Sequence, residues 1–501
     1  MLRVLGSPKR LCDGLTRRDL LHDGALSLFG MGSERLNLSA ARQASAAALS
    51  SAPAGSSASF GRARSCILLF LYGSPSQLET FDPKPTAPSG IRGDLGGAIS
   101  TVLPGISIGE GLPRLSKVID RASIIRSMSH PHPIHGVAYA LTGNPQITVP
   151  MELNPRDPGH WPFIGSVVEY RDAQRFGGLP REVPPNLVLP WAFSSHRVGE
   201  VARAGPYGGF LGQGYDPISV EFQGEGTKKA TKALNELAWN DYELYRGVTP
   251  ESRFRLTSGL DPALTAPSTL DRLHQRRSLL SQMEDLRREL DASASESGID
   301  RHRALAHRLL ESDTLRRAFE LGEEPDRVRE RYGMTLFGQA ALTARRLVEA
   351  GGRFVTVFWD EFGLAGTGWD THWDHYARMK DELLPGLDQS LSGLLLDLDE
   401  RGLLDETLVL CLSEHGRTPK ITPGRGGGRD HWSRCYSVLL AGGGIGRGRV
   451  LGRSDRIASD PVEDAVSPKD VLATAYHLLG IDPATTLLNR QGQSVPLVPH
   501  G

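Results

Sequence analysis

Ser65-Cys66-Ile67-Leu68-Leu69-Phe70-Leu71-Tyr72, followed at once by Gly73-Ser74-Pro75-Ser76-Gln77, is the stretch on which the fold turns. A continuous apolar run of this length, closed by glycine, reads as a strand covered on both faces. Burial on both faces is characteristic of parallel sheets sandwiched between helices. In such sheets the carboxyl ends of the strands face the site, so the polar loop 73–77 is a site candidate.

Working outward, three more runs of this kind appear: 353–358 (RFVTVF), 407–412 (TLVLCL) and 436–440 (YSVLL), the last closed by Ala441-Gly442-Gly443-Gly444. Helical patterns precede two of them, over 335–350 and 384–401. A last helix is expected over 468–479, with Ser467 as N-cap, Pro468 at the first helical position and Gly480 as the stop. Strand–helix alternation predicts an α/β protein: a three-layer α/β/α sandwich around a mostly parallel sheet. Residues 227–332 read differently, as polar and helical with no strand signal. Leu270, Leu273, Leu280, Met283, Leu286 and Leu290 recur there at helical spacing, which predicts a mainly helical insertion on the core.

Composition narrows the function. The chain has 501 residues, with 57 Lys+Arg against 58 Asp+Glu. A balance this even argues against nucleic acid as a partner. No run of about 18 apolar residues predicts a membrane-spanning helix. The four cysteines are scattered, which argues against a disulfide framework or a cysteine zinc site. Residues 1–60 read as an address rather than structure: Arg17-Arg18 precede a short apolar stretch (24–32) and an Ala/Ser-rich tract (39–59). This predicts a Tat-type export signal with a linker, the Tat machinery as a partner, and a periplasmic, envelope or secreted location. The body then spans 61–501.

Chemistry concentrates after the strands. Gly368-Trp369-Asp370-Thr371-His372, Ser413-Glu414-His415-Gly416-Arg417 and Gly428-Arg429-Asp430-His431-Trp432 each set an acid within two residues of a histidine. Loops at neighbouring strand ends converge in space. Carboxylate oxygens and imidazole nitrogens together suit a divalent ion such as Zn²⁺ or Mn²⁺. Asp370, His372, Glu414, His415, Asp430 and His431 are therefore the candidate metal ligands. Arg417 and Arg429, inside the same loops, are candidate anion clamps, because a guanidinium meets phosphate or sulfate in a planar fork. Trp359, Trp369, Trp373 and Trp432 surround the loops as sheet-edge core or as sugar-stacking surfaces.

The segments 368–372 (GWDTH), 414–419 (EHGRTP), 428–432 (GRDHW), 441–445 (AGGGI) and 451–455 (LGRSD) resemble the DUF1501 family, as do 72–85 (YGSPSQLETFDPKP), 91–94 (IRGD), 126–130 (RSMSH) and 141–143 (LTG). That bacterial family is grouped with the alkaline phosphatase and sulfatase superfamily. The resemblance implies an alkaline phosphatase-like fold and an exported, metal-dependent hydrolase of phosphate or sulfate esters, with Zn, Mn, Ca or Mg as the ion and a small-molecule or glycan ester as substrate. Two features depart from the superfamily pattern. Gly73-Ser74 stand where a metal-binding Asp would follow the first strand, leaving Glu79 or Asp82 further along. Pro133 stands at the nucleophile position. Ser129, or Ser127, is then the nucleophile, or His132 or His135 serves as ligand or acid/base, or the nucleophile is lost. In the last case a metal-bound water attacks directly, or nothing does and the chain is a non-catalytic envelope protein that binds anionic polysaccharide or a protein partner.

Overall fold

The computed structural model describes residues 59–498, apart from 133–136, 177–180, 191–204, 235–236, 257–311, 361–367 and scattered positions within 147–158. The export segment and the leucine pattern of 270–290 lie outside the described residues.

One nine-stranded sheet organises the chain. Its strands are β1 (Ser65–Leu71), β2 (Ala122–Met128), β3 (Asn186–Leu189), β4 (Ile218–Gln223), β5 (Arg253–Leu256), β6 (Phe354–Trp359), β7 (Thr407–Leu412), β8 (Tyr436–Ala441) and β9 (Arg449–Leu451). The order across the sheet is β9-β2-β8-β7-β1-β6-β3-β4-β5. β1 is central and pairs in parallel with both β6 and β7. Every residue of β1, β6 and β7 is buried, which is why these segments carry unbroken apolar runs. β8 runs antiparallel to β7 and to β2. The edge strand β5 runs antiparallel to β4, and the remaining pairings are parallel.

Helices among the described residues include α1 (Val137–Thr142), α2 (Ile164–Arg175), α3 (Leu336–Glu349), α4 (Leu384–Glu400) and α5 (Pro468–Leu478). They cover both faces, as the pleat of β6 shows. Phe354 meets Phe163 at the start of α2, whereas Trp359 stacks on Phe337 of α3 at 4.4 Å. Residues of opposite parity in a strand point to opposite faces, so α2 and α3 sandwich the sheet. α5 starts on a full capping box between Ser467 and Asp470. A buried guanidinium ties α3 to α4: Arg345 reaches Glu324 at 2.7 Å, Glu349 at 2.6 Å and Asp397 at 2.8 Å.

The helical expectation for 227–332 fails over its first part. Lys229–Leu234 and Leu237–Tyr242 form an antiparallel hairpin, and Arg253–Leu256 is strand β5. Neither strand (KATKAL, LAWNDY) alternates apolar and polar residues, so the sequence carries no strand period there. Helix resumes over Asp313–Phe319 and Asp326–Tyr332.

Candidate metal centre

Because β1, β2, β6 and β7 share one direction and β8 opposes it, four carboxyl ends and one amino end meet at a single sheet edge. The segments 73–82, 129–132, 368–375, 413–417 and 428–433 are therefore neighbours, although Glu79 and Arg429, which touch, are 350 residues apart in sequence. A short ribbon sets their register: Gly416 pairs with Trp432, and Arg417 with His431. Two glycines permit the close approach. A Cβ on Gly73, whose φ is +91°, would overlap the Asp370 backbone, and one on Gly428 would overlap the His372 carbonyl.

Asp370, His372 and His431 come together, each offering one ligand atom within 4.8 Å of the others. Asp370 Oδ1 lies 3.1 Å from His372 Nε2 and 3.4 Å from His431 Nε2, and the two imidazole nitrogens are 3.1 Å apart. One carboxylate oxygen and two imidazole nitrogens at such spacing fit a divalent ion bound at about 2.0–2.2 Å. The other His372 nitrogen, Nδ1, lies 2.8 Å from Asp430 Oδ1. Carboxylates on both sides of the ring favour positive charge there. The hydrogen bond to Asp370 raises the His372 pKa, against desolvation, and Asp430 adds to the rise. In return His372 and Thr422 hold the Asp430 carboxyl below its ordinary range.

The other expected ligands are placed differently. Asp430 is not in the three-atom group, because its carboxylate lies on the far side of the His372 ring. Glu414 turns away and accepts the Gly73 amide at 2.8 Å. His415 packs against His431 with the rings tilted by 36° and their centroids 4.6 Å apart, and its Nδ1 faces the Gly416 carbonyl at 2.8 Å. Asp82 is buried away from the group, against Ser454 and 2.9 Å from Lys84.

Both expected anion clamps are enclosed by protein. Arg429 is fully buried, donates to Glu79 at 2.6 Å and to the carbonyls of Thr418, Pro419 and Ile91. Burial would raise the Glu79 pKa, but Arg429 and His375 outweigh it and bring the carboxyl down to about 2. Arg417 is also fully buried. It donates to Asp370 Oδ1 at 2.6 Å, to the Ser74 carbonyl at 3.0 Å, to the Arg429 carbonyl at 3.1 Å and to the Gly73 carbonyl. Sequence reasoning missed this wiring, and it missed His375, whose Nδ1 lies 2.8 Å from Thr371 in the ligand loop. The Gly-Arg dipeptides flanking the ligand loops were the only signal.

The segment expected to hold the nucleophile borders the centre. His130 Nε2 lies 2.8 Å from the Glu414 carbonyl, and burial lowers its pKa to about 4. Ser127 donates its hydroxyl to the Asp464 carbonyl. Ser129 is half-buried and its amide bonds the Val466 carbonyl. His132 is half-buried against Tyr139. His135 and Pro133 lie outside the described residues. Trp359 and Trp369 are core, while Trp373 and Trp432 stay partly exposed beside His372 and His431.

Comparison with solved structures finds distant likenesses. A crystal structure of Ps i-CgsB with k-i-k-neocarrahexaose shares 11% identity, covering 84% of this chain and 72% of that one at a TM-score of 0.36. The PsFucS1 sulfatase from Pseudoalteromonas sp. shares 13% identity, covering 84% and 68% at a TM-score of 0.35. No curated protein matches the sequence. The profile of the family described as "Protein of unknown function (DUF1501)" matches residues 63–501, a span that takes in all nine strands and all of the metal-centre candidates. The chain belongs to the DUF1501 family.

Proposed function

We propose that this protein is an exported hydrolase of phosphate or sulfate esters that works through a divalent ion held by Asp370, His372 and His431. The observation that carries the reading is the convergence of those three ligand atoms at the carboxyl edge of the sheet, with a carboxylate behind one of the imidazoles. A bound ion supplies Lewis acidity toward an ester oxygen. Asp430 fixes the tautomer of His372 so that Nε2 faces the ligand position. Arg417 orients the Asp370 carboxylate through a 2.6 Å hydrogen bond. His132 is kept neutral by burial and by Lys469, which suits it to accept a proton. Ser129 is the nucleophile in this scheme, since the Ser127 hydroxyl is engaged with Asp464. Residues 1–60 supply the Tat-type address.

The test combines metal analysis of purified protein with turnover of aryl phosphate and aryl sulfate in the presence of Zn²⁺, Mn²⁺ or Ca²⁺. The wild type is expected to carry an ion and to turn over one substrate class. The His372→Ala/His431→Ala double variant is expected to lose both. A metal-bearing protein that is silent on every substrate would sink the hydrolase and favour a second reading. In that reading the centre holds an anionic polysaccharide without cleaving it. The engagement of the Ser127 hydroxyl with the Asp464 carbonyl favours this alternative.

A further inference from the structure

We propose that Arg417 is a built-in cation that occupies the oxygen-rich half of the strand-end site, so that the centre takes one ion per chain and selects a Zn²⁺-like ion over Ca²⁺ or Mg²⁺. This rests on the metal-centre reading above and goes beyond it.

Four oxygens converge on the Arg417 guanidinium: the carbonyls of Gly73, Ser74 and Arg429, and Asp370 Oδ1. A carboxylate grouped with several backbone carbonyls is the donor set that hard cations such as Ca²⁺ prefer. Here those oxygens already surround a positive charge. Guanidinium stays protonated and offers five donors in a fixed fork, so it satisfies these acceptors without a metal. The residue is locked in place. Its amide donates to Gln77 Oε1 at 3.1 Å, its carbonyl accepts Gln77 Nε2 at 2.9 Å, and it pairs with His431 in the ribbon.

What remains for a metal is Asp370, His372 Nε2 and His431 Nε2. Two of those three donors are nitrogen, which favours Zn²⁺, Fe²⁺ or Ni²⁺ and offers little to Ca²⁺ or Mg²⁺. A second dication in the oxygen half would have to displace a fully buried guanidinium or sit against its charge. One oxygen, Asp370 Oδ1, serves both halves. Arg417 is therefore a positioning and selectivity residue, not a group that touches substrate.

The experiment is equilibrium dialysis of the metal-stripped full chain, read by elemental analysis rather than by activity. With Zn²⁺ the expected stoichiometry is one ion per chain, unchanged when Ca²⁺ is added in about 100-fold excess. Two ions per chain, or displacement of Zn²⁺ by Ca²⁺, overturns this inference and leaves the metal centre standing. No bound ion overturns both. Arg417→Met frees the four oxygens and is expected to admit Ca²⁺, whereas Arg417→Lys keeps a charge there and is expected to exclude it. A folded Arg417→Met protein, verified by circular dichroism, that still excludes Ca²⁺ would refute the selectivity role. Should that variant not fold, the wild-type stoichiometry and competition decide.

Discussion

Asp430 acts at one remove from the ion position, through the ring of His372. Replacing such an outer carboxylate typically weakens metal affinity 10–100-fold. Asp430→Asn is therefore expected to lower Zn²⁺ affinity by about 10–100-fold with the fold intact, as measured by competition with a chromophoric chelator. Gly73 shows a different sensitivity. A methyl group there meets the Asp370 backbone, and the left-handed conformation adds strain. Gly73→Ala is expected to destabilise by more than about 1 kcal/mol in urea denaturation and to reduce metal binding with it. Residue type and spacing in the sequence brought out the acid–histidine pairs. They did not show whether a carboxylate would touch the ion or the ring behind it, because an ångström-scale difference in placement decides. Glu414 illustrates this: beside His415 it reads as a ligand, yet in space it serves the Gly73 amide.

Among the elements, legibility followed burial. β1, β6 and β7 are buried along their whole length, and hydrophobicity alone located them. α5 was readable from its end signals, because capping is local chemistry. Ser467→Ala is expected to lower stability by about 1 kcal/mol in chemical denaturation, since it removes the hydroxyl that accepts the Asp470 amide and leaves only the reciprocal half of the capping box. The hairpin at 229–242 was illegible because its strands do not alternate apolar and polar residues. The clasp between α3 and α4 could not be read either, because its partners, Arg345, Glu324 and Asp397, are brought together only by tertiary packing. Arg345→Met removes the fully buried cation between Glu324 and Asp397 and leaves them to Arg346 and Arg401 at the margin of the cluster. It is expected to destabilise by about 1.5–3 kcal/mol, more than the loss of a surface pair.

For the molecule as a whole, acidity enters stability through Glu382. Burial, together with the neighbouring Glu243, raises its pKa from the ordinary 4.5 to about 7, despite Arg246 at 3.0 Å. Between those two values the folded protein holds a proton that the unfolded chain has released, so this group's contribution to stability falls as pH rises through the window. Glu382→Gln is expected to remove that slope, so that the variant gains on the wild type between pH 5 and pH 8 in paired urea melts. The layered α/β plan was legible at this scale because it depends only on the order of apolar strands and helices. The joining of five distant loops at one edge depends on the strand order and on the reversed β8. The close contacts there bridge very long stretches of chain: Gly73 to Glu414 spans 341 residues, and Arg429 to Glu79 spans 350. Closing loops of that length is entropically unfavourable until the sheet between them exists. The proposed ligands themselves lie between residues 370 and 431, but Asp370 is held by Arg417 and packed against Gly73, so the proposed ion position takes its shape from those long-range contacts. On that reading, loading follows folding. If the protein leaves the cytoplasm already folded, the compartment in which it folds then determines which ion it would carry.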